Sequence, residues 1–224
     1  MSDVTNRKRR RGYHRLLTGL AFHRGKKLRM ITLTLVKDSI NDIHECFRIL
    51  KERIRRLTPN KIKKQDTIGY FTPQRMRHYF GDSKKWDKPI KFEYFSVIIF
   101  GDRQHMHILY FGHWLPYAWL KKVWKEITGD SDIVDIRTTR EGVKNVKKLA
   151  SYVLAQYAVL QDGDIRFQMS HDWAWRGMVR DWKRAVKKHT RCVKGQYKVQ
   201  FHELLWYWAE IVREKRFPHT CLDF

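Results

Sequence analysis

Two histidines one residue apart, His105 and His107, and a lysine, tyrosine and glutamine spaced by four, Lys148, Tyr152 and Gln156, are the side chains of this 224-residue chain best placed to do chemistry. The histidines lie in HMHILYF, a run that reads as a β-strand. Side chains alternate along a strand, so both imidazoles emerge on one face while Met106 and Ile108 emerge on the other. Two imidazoles side by side make a bidentate grip for a divalent ion such as Mn, Fe, Co, Ni or Zn, and leave positions open for water, oxygen ligands and a substrate phosphate. Two histidines on a half-exposed strand are also an ordinary surface. His113 shares their parity, but Gly112 breaks the strand before it.

The tyrosine belongs to a periodic stretch, Val143 to Leu160, whose apolar residues Val146, Ala150, Val153, Tyr157 and Leu160 step by three and four and form a buried helical seam. Lys148, Tyr152 and Gln156 sit off that seam on one polar ridge. A phenol ordinarily titrates near pH 10 and is a weak nucleophile unless it is deprotonated or held against an electrophile that a metal polarises. Tyr157, five residues after Tyr152, lies about 140° around the helix and belongs to the core. Lys144, Lys147 and Lys148 either grip phosphates and lower the phenol's pKa or form a solvated basic face. Arg137 and Arg140 are open to the same two readings, and Tyr110, Trp114, Trp173 and Trp175 either stack unpaired bases or pack in the core.

These residues need a scaffold. RLLTGLAF and RMITLTLV flank HRGKK and read as a first hairpin, while KFEYFSVIIF and HMHILYF, joined by GDRQ, read as a second. Ile43, Phe47, Leu50, Ile54 and Leu57 mark an amphipathic helix between Asp38 and Leu57, closed by Pro59. A short helix is expected near Gln74 to Phe80, another at Trp119 to Ile127, a fifth strand at IVDIRTT, and a final helix at about Phe201 to Arg216. The expected fold class is α+β, a central antiparallel sheet of about five strands flanked by helices. Its expected parts are a basic arm (1–14), a catalytic domain (15–162) and a helical C-terminal extension (163–224).

Composition bounds the partner. Lys and Arg number 47 against 23 Asp and Glu, a net charge of +24, which argues for a polyanion and above all for nucleic acid. With 42% apolar and 14% aromatic residues the chain can build a packed core, so wholesale disorder is excluded. No apolar run reaches the ~20 residues that span a bilayer, and no secretory signal is legible at the N-terminus, so no membrane partner is expected. Cys46, Cys192 and Cys221 are far apart and read as reduced packing residues, in keeping with a cytoplasmic setting.

MITLTLV, then HMHILYFG with its paired histidines, then LASYVLAQY on a later helix resemble the three ordered motifs of the HUH endonucleases, and most of all the rolling-circle replication initiators (Rep) of plasmids and viruses, archaeal ones in particular. The resemblance covers about Arg15 to Leu160. It implies a sheet with the histidine strand at its centre and the tyrosine helix laid across it. It further implies nicking and joining of single-stranded origin DNA near a hairpin, through a 5′-phosphotyrosine on Tyr152, with Mn²⁺ or Mg²⁺ and without ATP. His105 and His107 would hold the ion. The acidic third ligand of many relatives is missing, since Ile98, Ile99 and Phe100 stand on the preceding strand. Gln156 takes that role by its likeness to the Tyr-x-x-x-Gln pattern of single-tyrosine transposases of the superfamily, with Glu93 and Asp102 as the other candidates. No GxxxxGK[ST] loop is present, so a separate helicase and polymerase are implied partners. Two other readings stay open: a transposase with the same chemistry, and a basic nucleic-acid-binding protein with no catalysis.

Overall fold

Short runs rich in β-branched and aromatic residues become strands here, and apolar residues that step by three and four become helices. The computed structural model describes residues 12, 15–16, 18–20, 22–23, 26–66, 69–138 and 167–173. In chain order they form β1 (Leu28–Thr34), α1 (Ile43–Arg55), α2 (Pro59–Lys64), α3 (Pro73–Phe80), β2 (Phe92–Ile99), β3 (His105–Gly112), α4 (Tyr117–Thr128), β4 (Val134–Thr138) and β5 (Phe167–Met169). The strands make one open sheet in the order β4-β1-β3-β2-β5, with every neighbouring pair antiparallel. The architecture is therefore α+β, with β3 at the centre. His107 stands opposite Thr32 on β1 and Val97 on β2, and His105 opposite Thr34 and Ile99.

The helices cover one face. α1 buries Ile43, Cys46, Phe47, Leu50 and Ile54, and α4 buries Leu120, Val123 and Trp124, against Ile31, Leu33, Ile98, Met106, Ile108 and Tyr110 of the sheet. Each such aliphatic side chain contributes roughly 1.5–3 kcal/mol on leaving water. The helix ends are set locally. The Asp42 carboxylate accepts the amide of His44 at 2.9 Å to cap α1, and Gly129, in the left-handed region at φ 74°, closes α4. The Trp124 indole N–H donates to the carbonyl of Thr34 at 3.1 Å, tying α4 to the end of β1.

The chain divides into two compact units. One, Lys26–Asn145 with Arg166–Met169, holds the sheet and α1 to α4. The other comprises Met1–Gly25, Val146–Ile165 and Ser170–Phe224. Its described residues include the buried Leu16, Leu20 and Trp173, and the Trp173 indole N–H donates to the carbonyl of Arg15 at 3.2 Å.

Three expectations change. RLLTGLAF is no strand: its described positions are helical, because Leu16 and Leu20 are four apart and both buried, and the His23 amide bonds back to the Gly19 carbonyl at 3.0 Å. The fifth strand is instead Phe167–Met169, three residues that pair with β2 and are too short to show a period. Pro59 does follow the end of α1, but it also opens α2 as its first residue, capped by the Thr58 hydroxyl. The expected helices at 143–160 and 201–216 lie outside the described residues.

Where β3 ends, Gly112 adopts φ 139°, and a Cβ there would stand 2.0 Å from the backbone oxygen of Lys91. Gly112→Ala is expected to reduce unfolding free energy by about 2–4 kcal/mol. Gly129→Ala, at φ 74° but with open space around it, should lose only about 1–2 kcal/mol. Urea denaturation of the two variants checks this, and equal losses would contradict it.

Candidate metal centre

β3 serves two environments because successive side chains of a strand point to opposite faces. Met106, Ile108 and Tyr110 enter the helix-covered core, and His105, His107 and Leu109 occupy the other face. The two imidazole rings stand 5.3 Å apart at a 75° angle. A shared ion about 2 Å from one nitrogen of each ring is compatible with that separation. His105 is half-buried, whereas His107 is only 4% exposed.

Neighbouring oxygens orient both rings. Nδ1 of His105 lies 3.2 Å from the carbonyl oxygen of Arg103. A carbonyl only accepts, so the proton of the neutral ring sits on Nδ1 and the lone pair on Nε2. Nδ1 of His107 is hydrogen-bonded at 3.0 Å to the hydroxyl of Thr32, the residue directly opposite it. The carbonyl contact fixes the tautomer of His105, and both contacts fix ring direction, as outer contacts do in metal sites.

The electrostatics favour the ligand form. Burial, and then the neighbouring His105, push the pKa of His107 down to about 4, with Asp135 pulling the other way. The ring is therefore neutral at pH 7 and can bind a cation without first releasing a proton. Asp135 reaches this face because β4 pairs with β1 and places it opposite Thr32. Its carboxylate also forms an ion pair with Arg137 at 2.6 Å. Tyr94 and Tyr110, the tyrosines of the helix-covered face, are pushed to about 12 by burial and stay protonated.

The structure brings some of the expected residues together and leaves others apart. His105 and His107 converge, and Arg137 stands two strands away with its side chain largely in solvent. The partners of the histidines on β2 are indeed apolar, Val97 and Ile99. Glu93 shares the face but pairs with Phe111, four residues along the strand from His107, roughly 13 Å, and it pairs with Lys26 at 3.8 Å. Asp102 lies in the β2–β3 turn and lines a cleft of about 180 Å³ with Asp38, Ser39 and Gln104. His113 sits beyond the far end of β3, where its Nδ1 accepts the amide of Lys91 at 2.8 Å. Tyr110 and Trp173 are fully buried, so neither offers a face to a base. Tyr152, Gln156, Lys144, Lys147, Lys148, Arg140, Tyr157 and Trp175 lie outside the described residues.

Among the described residues, no group of three or more His, Cys, Asp or Glu side chains is placed to hold an ion. Thr32 and Asp135 are the neighbours that sequence reasoning passes over. The signal for Asp135 was its shared parity with Arg137 in VDIRT, but placing it near His107 requires knowing that β4 pairs with β1. Compared with protein-family models, with curated proteins and with solved structures, the chain matches none.

His107 holds its proton less tightly folded, at about 4, than unfolded, at 6.5. Its contribution to stability is therefore complete above pH 6.5 and is lost as the pH falls from 6.5 towards 4, by up to about 3 kcal/mol. Denaturant unfolding in the presence of a chelator should show wild type losing that much more than His107→Gln across this window. Parallel losses in the two proteins would contradict the assignment.

Proposed function

We propose that this protein nicks and rejoins single-stranded DNA by tyrosine transesterification beside a divalent ion held by His105 and His107, and so initiates rolling-circle replication of a plasmid or virus. The observation that carries the reading is the convergence of two oriented imidazoles, 5.3 Å apart, on one face of the central strand. The charge of +24 suits a phosphate-rich substrate. Mn²⁺ or Mg²⁺, when bound, would offset the negative charge on the scissile phosphate.

Tyr152 is the nucleophile in this proposal. Its oxygen bonds to phosphorus and the bond from phosphorus to the 3′ oxygen breaks. The phenol loses its proton and the departing oxygen gains one. The products are a 5′-phosphotyrosine and a free 3′-OH, and because one phosphodiester replaces another, the reverse reaction reseals the strand without ATP. Tyr94 and Tyr110, kept protonated by burial, are poor rivals for this role. In this proposal Gln156 would join the histidines, water and phosphate oxygens in holding the ion, while Lys144, Lys147, Lys148 and Arg137 would contact the DNA backbone.

Incubation with single-stranded origin oligonucleotides and Mn²⁺ should give a covalent protein–DNA adduct on a denaturing gel. Tyr152→Phe should abolish it, and His105→Ala or His107→Ala should slow it by about 100-fold, the upper end of what losing a ligand's supporting contact costs. Adduct retained in Tyr152→Phe would overturn the nucleophile. No adduct with any metal would favour a nucleic-acid-binding protein without catalysis, and adduct only on the ends of a mobile element would favour the transposase.

A further inference from the structure

A second surface of the sheet-bearing unit has a different chemistry. Tyr70, Tyr79 of α3, and Trp114, just beyond β3, form a ladder of near-parallel rings. The centroids of Tyr79 and Trp114 are 4.7 Å apart at 21°, and Tyr70 lies 6.3 Å from Trp114 at 28° and 6.5 Å from Tyr79 at 23°. The ladder is held in place. The hydroxyls of Tyr70 and Tyr79 are 3.0 Å apart, and the guanidinium of Arg75 lies 4.3 Å from the Tyr70 centroid while donating to the Tyr70 carbonyl at 3.1 Å. Phe71 and Phe80 are buried beside it, but the three ladder rings are only half-buried.

The surroundings are cationic. Between positions 59 and 91 the chain carries nine Lys or Arg against three Asp and no Glu. Arg75, Arg77 and His78 of α3 are all exposed. A hydrophobic protein partner would not need so much positive charge, and an acidic peptide would have no use for parallel rings. Flat aromatic faces beside cations match a strand whose bases are unpaired, since every base has a face to stack and every nucleotide a phosphate to neutralise.

We propose that the Tyr70–Tyr79–Trp114 ladder is a docking surface for unpaired bases of single-stranded DNA, with Arg75, Arg77 and His78 meeting its phosphates. The proposal rests on the reading of the chain as a protein that acts on single-stranded DNA. The rings are already fixed by their mutual contacts, so little side-chain freedom is lost on binding. His113, at the same end of β3, is about 26 Å of extended chain from His105, so the surface would engage nucleotides several residues away from the scissile phosphate and strengthen binding without touching the reaction.

The test is the affinity of the full-length protein for a fluorescently labelled single-stranded oligonucleotide, measured by anisotropy at fixed salt. Tyr79→Ala should weaken binding roughly tenfold, in line with the loss of one stacked base, and Tyr79→Phe, which keeps the ring and drops the hydroxyl, should stay within about twofold of wild type. In wild type, an oligonucleotide substituted with 5-iodouracil should photocrosslink to Tyr70, Tyr79 or Trp114. Unchanged affinity in Tyr79→Ala, crosslinks only elsewhere, tighter binding of an acidic peptide at the ladder, or duplex binding with the same dependence on Tyr79 would each overturn the proposal. The two readings separate cleanly. If wild type forms the Tyr152 adduct while Tyr79→Ala binds normally, only the docking surface falls. If no adduct forms while Tyr79→Ala binds poorly, only the nicking activity falls.

Discussion

The central strand can be read in only one register. β3 is paired on both sides, so a slip of a single residue would carry His105 and His107 into the helix-covered core and turn Met106, Ile108 and Tyr110 out of it. Turned in among α1 and α4, the two imidazoles would lose their hydrogen bonds to the Arg103 carbonyl and the Thr32 hydroxyl. The packing of the core and the presentation of the histidines are thus one constraint. Whatever stabilises Met106 and Ile108 beneath the helices also holds the two rings side by side on the opposite face.

Polar detail is then added by the neighbouring backbone and strand. The Arg103 carbonyl sets the tautomer of His105, Thr32 bonds His107 across the β1–β3 ladder, and burial keeps His107 neutral. A neutral imidazole with a fixed direction is what cation binding needs. The surface of Tyr70, Tyr79 and Trp114 belongs to the opposite end of the same strand, so β3 links an oriented histidine pair at its start to a basic aromatic ladder just after its finish.

Much of this was legible in the sequence because two periods were clean. HMHILYF opens with an alternation, His-Met-His-Ile, so the parity of the histidines followed at once, and the strands Leu28–Thr34, Phe92–Ile99 and Val134–Thr138 and the helices Ile43–Arg55, Pro73–Phe80 and Tyr117–Thr128 all lie where their patterns put them. Misreading occurred where a pattern was short or ambiguous. RLLTGLAF fits either period, and its two buried leucines decide for the helix. Phe167–Met169 has too few residues for a period to register. The nearness of Asp135 to the histidines, and the assembly of Tyr70, Tyr79 and Trp114, depend on which strands and loops become neighbours, and no local pattern encodes that.

The claim on which the account turns is that His105 and His107 bind one cation together. Pulsed electron paramagnetic resonance of the full-length protein loaded with Mn²⁺ reads this directly, because an imidazole nitrogen bound to manganese modulates the electron spin echo. Two coupled nitrogens in wild type, falling to one in His105→Ala or His107→Ala, are the predicted result. A spectrum of fully hydrated manganese with no nitrogen coupling would contradict it.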